Sequence, residues 1–281
     1  MNKNNPIGFV DSGVGGLTVV KAAQNQLPHE QFVFIGDTAR MPYGPRPAQE
    51  VIDYTFQMAE FLLAEKQIKL LVIACNTATA RALPQLQAKL PIPVIGVIAP
   101  GARAAANATK NRQIGVIATQ GTVTSGAYQA AITDFRPDVA VAQQAEPEFV
   151  QIVEANQAST QATQALVAKH LAPLTAQGID TLVLGCTHFP LLTPAIQAAV
   201  GPTVQLVDAG RETVQVIIET LTNQGLLTGV THQHANDVFY TTKDPETFST
   251  IATAWLARED ALDVRHLAIV GDKHAQHLEE N

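Results

Sequence analysis

The stretch from Leu70 to Leu83, LLVIACNTATARAL, constrains this chain more than any other. Four apolar residues, Leu70 to Ile73, end in Ala74-Cys75-Asn76-Thr77, and an alanine-rich helical pattern follows at once. That reads as a buried parallel strand emptying into a helix N-terminus, with a cysteine at the junction. The construction returns at TLVLGCTHFPLL, residues 181–192, with Cys186 at the junction. The chain has 2 cysteines in 281 residues, and both sit at the same kind of place. A repeated unit carrying a paired chemistry is the first expectation.

The remaining chain supports it. An apolar run over 7–10 breaks at Asp11-Ser12-Gly13-Val14-Gly15-Gly16, and a helical pattern runs from Leu17 to about Gln26. A strand over 32–35, a loop Met41-Pro42-Tyr43-Gly44, a helix over 51–66, a strand over 70–74, a helix over 76–90 and a strand over 94–98 follow. Strands alternating with helices at this spacing predict an α/β fold with doubly wound parallel sheets. Ile114-Gly115-Val116-Ile117 then lies over Ile7-Gly8-Phe9-Val10 at an offset of 114 − 7 = 107. Cys186 answers Cys75 at 186 − 75 = 111. Runs 139–142 and 204–207 answer the second and fourth strands. The tail holds a helix from Thr213, a strand over 237–240, a helix over 245–257 and an apolar run over 267–270. That is too little for a third domain, so it is expected to complete the first. The predicted division is 1–97 plus 209–281 for the first domain and 98–208 for the second. From Lys273 the chain is polar and expected to fray.

Composition narrows the function classes. A formal charge of −7 with no lysine or arginine block argues against a nucleic-acid partner, which needs a basic surface. The opening MNKNNPIGFVDSG lacks a signal-peptide core, and no segment approaches 18 apolar residues. A soluble, cytoplasmic protein with no membrane partner and two free thiols is expected.

In open parallel sheets ligands sit at the carboxyl ends of strands. Asp11-Ser12, Asp37, Cys75-Asn76-Thr77, Thr119 and Cys186-Thr187-His188 all lie at such ends. Two repeated units facing each other would set Cys75 and Cys186 across one cleft. A helix N-terminus favours thiolate, and two thiols flanking one carbon can take a proton from one face and return it to the other. A racemase or epimerase without a cofactor needs that arrangement. A dithiol redox pair is the competing reading, but 110 residues separate the two cysteines and no Cys-x-x-Cys is present. Ser12-Gly13, Asn76-Thr77, Gly121-Thr122 and Thr187-His188 each read as helix openings, suited to an anionic ligand as well as to capping. His188 beside Cys186 suits holding a thiolate or relaying a proton, and Asp11 suits a substrate ammonium. His232 and His234 read as solvated, with no third metal ligand.

Together, DSGVGG at 11–16, GDTARMPYG at 36–44, ACNTATA at 74–80 and GCTHFPLL at 185–192 resemble the glutamate racemases of bacterial cell-wall synthesis. The resemblance covers nearly the whole chain. It implies two domains with pseudo-twofold symmetry and interconversion of L- and D-glutamate for peptidoglycan, with no cofactor and no metal. It implies Cys75 and Cys186 as the acid/base pair, assisted by Asp11, His188 and Glu154. The implied substrate contacts are Asp11, Ser12, Tyr43, Gly44, Asn76, Thr77, Thr119, Thr122, Thr187 and His188. The stretch AEPEFVQ before Glu154 departs from the family's Cys-Pro-Leu-Phe-Val-Pro. The related aspartate racemases, and a non-catalytic two-domain binding protein, are the alternatives. With the first strand beginning at Ile7, regulation through an N-terminal extension is not expected, and a homodimer is.

Overall fold

Strand β1 (Ile7–Asp11) is buried at every residue and pairs in parallel with two neighbours, β2 (Phe32–Gly36) and β3 (Leu70–Ile73). The computed structural model describes residues 2–232, 234–271 and 276–280. Strand β4 (Val94–Gly96) pairs with β3. Helices α1 (Leu17–Gln26), α2 (Ala48–Lys66) and α3 (Asn76–Lys89) connect these strands. β3 is buried throughout, as a strand covered on both faces must be, and its continuous apolar run follows from that.

The fourth strand ends earlier than the sequence suggests. Residues 97 and 98 leave it, and a helix unforeseen in the sequence, α4 (Ile98–Ala108), begins. Pro100 conceals it, yet in a first turn the missing N–H has no helical acceptor to lose. The second unit continues with β5 (Gln113–Ala118), α5 (Gln120–Ser125), α6 (Ala127–Phe135), β6 (Ala140–Ala145), α7 (Pro147–Glu154) and α8 (Gln161–Thr175). It closes with β7 (Thr181–Gly185), α9 (Thr193–Val200) and β8 (Gln205–Asp208). The sheet order is β6-β5-β7-β8, all parallel, and repeats the order β2-β1-β3-β4 of the first unit. Strand by strand the correspondence is the one the offsets predict.

The tail returns to the first sheet. Helix α10 (Ala209–Asn223) buries Val214, Ile217 and Leu221 in the cluster that holds Phe9, Leu17 and Val20. Strand β9 (Val238–Thr241) pairs with β2, and helix α11 (Pro245–Leu256) leads to β10 (Asp263–Val270), parallel to β9. The expected fraying is corrected here. A last strand, β11 (His277–Glu280), runs antiparallel to β10 and completes a sheet of 7 strands. Leu278 is buried, and Glu280 meets Lys66 at 2.7 Å and Arg265 at 2.8 Å, so an apolar anchor and ion pairs hold a polar segment. Residues 272–275 of that stretch lie outside the described residues.

The reading of His234 as solvated is also corrected. Its ring stacks on Phe32 at 5.4 Å, and its Nδ1 lies 3.2 Å from Asp237 Oδ2. His232 is half-buried. Among the described residues no helix is long and apolar enough to cross a membrane.

Candidate active site

The carboxyl ends of the two sheets meet at a cavity of about 330 Å³, within the usual range of roughly 300–1,000 Å³ for ligand pockets. Both cysteines line it, Cys75 just after β3 and Cys186 just after β7. They are free thiols, each 6% exposed. Ser12, Tyr43, Gly44, Asn76, Thr77, Thr119, Glu154, Thr187 and His188 line the same cavity. Asp11 and Thr122 do not. Asp11 lies fully buried at the end of β1, and Thr122 supports the wall through Thr77 and Thr119.

The two thiols have different surroundings. Cys75 caps α3, with its Sγ accepting from the Ala78 N–H at 3.4 Å and donating to Ser12 Oγ at 3.6 Å. A helix N-terminus was expected to favour thiolate there. Burial outweighs it: desolvation first, then the Asp11 charge, push the Cys75 thiol up to about 12. Cys186 has no α-helix after it. Thr187 and His188 lead into a 3₁₀ turn, Phe189–Leu192, before α9, so the expected helix opening is corrected. The neighbour of Cys186 is instead a histidine, with His188 Nδ1 at 3.8 Å from its Sγ. On the far side of that ring Nε2 lies 3.1 Å from Glu154 Oε1. Burial alone would lower the His188 pKa, but the contacts to Cys186 and Glu154 and the charge of Asp11 raise it to about 10. One thiol is therefore held protonated, and the other faces an imidazolium.

Close backbone approach brings these groups together. The loop after β1 passes under the β7 loop at Gly15, where an added Cβ would stand 2.2 Å from Thr187 Oγ1 and 2.7 Å from His188 Nδ1. Ser12 opens no helix, because α1 starts only at Leu17 and Asp11 Oδ2 instead accepts from the Gly13 N–H at 3.0 Å. Asp11 Oδ1 is buried with no hydrogen-bond partner among the described residues, and burial raises the carboxyl pKa against the pull of His188 and the Gly13 N–H. Across the cleft, Thr77, Thr119 and Thr122 form a ring of hydroxyls at 2.8, 3.0 and 3.3 Å that joins the two units. Tyr43 differs from expectation. Its hydroxyl donates to Asp37 at 2.5 Å, and Asp37 also receives Arg40 and Thr242, so that hydroxyl is already occupied.

Residues 17–217 match the family described as Asp/Glu/Hydantoin racemase. The glutamate racemase of Lactiplantibacillus plantarum is 50% identical over 279 residues, 99% of this chain and 97% of that one. The chain belongs to the glutamate racemase family. A solved glutamate racemase isoform from Bacillus anthracis is similar at a TM-score of 0.90 and 42% identity, covering 94% of this chain and 98% of that one. One from Francisella tularensis, solved in complex with D-glutamate, is similar at 0.85 and 31%, covering 97% and 100%. As a glutamate racemase the chain is an isomerase.

Sequence reasoning missed several side chains at this racemase site, three of which bear on its chemistry. Trp255, from α11, stands edge-on to the His188 ring at 5.9 Å. Gln151, one turn before Glu154, lines the cavity. Tyr128, from α6, donates to Asn76 Oδ1 at 2.7 Å. Gln151 was findable from its spacing to Glu154 on a helix. The other two join elements far apart in the chain, and no local pattern signals them.

Proposed function

We propose that this enzyme racemises glutamate by two-thiol acid/base catalysis, without a cofactor or metal, and supplies D-glutamate for peptidoglycan in the cytoplasm. The observation that carries the reading is that the chain's two cysteines line one cavity from equivalent strands of the repeated units. In the L-to-D direction the Cys186 thiolate takes the α-proton and becomes a thiol. Cys75, protonated at neutral pH, delivers its proton to the opposite face and becomes the thiolate. D-glutamate leaves with the proton states of the two sulfurs exchanged. Solvent exchange or the reverse reaction restores them, so protons balance over the cycle.

The other residues act on that pair. The His188 imidazolium faces the Cys186 sulfur, and Glu154 orients the ring from Nε2. Asp11, one layer back, acts through its charge, keeping Cys75 protonated and His188 charged. Its second oxygen, without a hydrogen-bond partner among the described residues, suits the substrate ammonium. Asn76, Thr77, Thr119 and Thr187 offer amide and hydroxyl donors to the two carboxylates, and Gly44 leaves room for them.

A methylene is worth roughly 1–3 kcal/mol of discrimination in a fitted pocket. Glutamate should therefore exceed aspartate in kcat/KM by about tenfold or more, measured polarimetrically with purified enzyme and no additive. Comparable values would transfer the reading to an aspartate racemase.

A further inference from the structure

Tyr128 is fully buried and far in sequence from both cysteines, yet it touches the loops that carry them. An added Cβ on Gly185, the residue before Cys186, would stand 3.0 Å from Tyr128 Cε2. The missing side chain there is the space the ring occupies. At its other end the hydroxyl crosses to the first unit and donates to Oδ1 of Asn76, the residue after Cys75, at 2.7 Å. Burial, then the charges of Asp208 and Cys186, push the phenol well above its ordinary pKa, so it stays an O–H donor. Asn76 lines the cavity, and its Nδ2 has no hydrogen-bond partner among the described residues. An amide whose oxygen is taken from behind has its two N–H donors left for a ligand in front.

We propose that Tyr128 is a positioning residue that fixes the Asn76 amide with its nitrogen toward a substrate carboxylate, while its ring sets the Cys186 loop against the Cys75 loop. The inference rests on the glutamate racemase reading and names a residue that reading does not use. Without the hydroxyl, the Asn76 amide is free to turn its oxygen toward an anion, which repels it. The ring stays, so the sulfurs keep their spacing. The effect therefore belongs in KM more than in kcat.

The test is steady-state kinetics with L- and D-glutamate on the parent, Tyr128→Phe, Asn76→Ala and the double variant, with thermal melting of each. Tyr128→Phe should raise KM by about five- to twentyfold in both directions and lower kcat by less than threefold. In the Asn76→Ala background the same change should alter KM by less than twofold, because residues acting through one another are not additive. An equal KM rise in both backgrounds, or a KM within twofold of the parent, overturns the proposal. Should Tyr128→Phe melt far below the parent, Asn76→Asp decides the matter. It keeps an acceptor for the phenol and loses the N–H donors, so its KM should rise at least tenfold, and an unchanged KM overturns the proposal. A parent inactive on glutamate counts instead against the racemase reading. An active parent with indifferent variants counts against Tyr128 alone.

Discussion

At the scale of single residues, the two thiols are alike in position and different in their neighbours. Cys75 is kept protonated by burial and Asp11, whereas Cys186 faces His188. L- and D-glutamate have equal free energies in water, so kcat/KM must be equal in the two directions for any variant. Cys75→Ala and Cys186→Ala should each lower racemisation both ways by at least the 10²–10⁴-fold that positioned proton transfer supplies. Polarimetry from each enantiomer checks this, and a variant within a few-fold of the parent contradicts the two-base account. The pH profile follows from His188, which is raised by its contacts and so keeps its proton until pH rises through about 10. The imidazolium opposite Cys186 is present below that value and lost above it. kcat/KM should hold through neutral pH and fall near 10. A fall centred at 6.5, where an ordinary histidine titrates, would show that the Cys186 and Glu154 contacts do not set its charge. Both cysteines were legible because the end of a buried apolar strand is a local pattern. The occupied Tyr43 hydroxyl and the recessed Asp11 were not, since their partners or covering layers come from folding.

At the scale of elements, the site depends on turns that let two loops touch. Gly15 is the clearest case, because its Cα faces Thr187 and His188 with no room for a methyl group. Gly15→Ala should displace the His188 ring from Cys186. Misplacement of about 1 Å costs on the order of 10² in rate, so kcat should fall by that order while the melting temperature moves little. The two readouts together distinguish a displaced imidazolium from a damaged fold, and a kcat within threefold of the parent would show that the loops yield. Regular elements with apolar periodicity were legible, β1, β3, β5 and β7 above all. Helix α4 was hidden by Pro100 and by an alanine-rich sequence without polar alternation. Strand β11 was hidden because its anchors, Lys66 and Arg265, are distant in sequence. The helix openings assigned to Ser12 and Thr187 failed for a related reason. Small polar residues serve Asx turns and 3₁₀ turns as readily as α-helix caps.

At the scale of the molecule, duplication is the organising fact. The orders β2-β1-β3-β4 and β6-β5-β7-β8 are the same, and the sequence offsets of 107 and 111 anticipated the pairing. We propose residues 1–97 with 209–281, and residues 98–208, as the two domains. The shared cores of the tail with β1 and α1 support that division. We propose that facing repeats turn one cysteine per unit into an acid/base pair across one carbon, and this is the central claim. Its most direct test is incubation of the purified enzyme with L-glutamate in D₂O, with no cofactor or metal added. The account predicts an equal mixture of enantiomers, with deuterium at the α-carbon of the D-glutamate formed. Inversion without deuterium entry, or inversion only after pyridoxal phosphate or a metal is supplied, would contradict it.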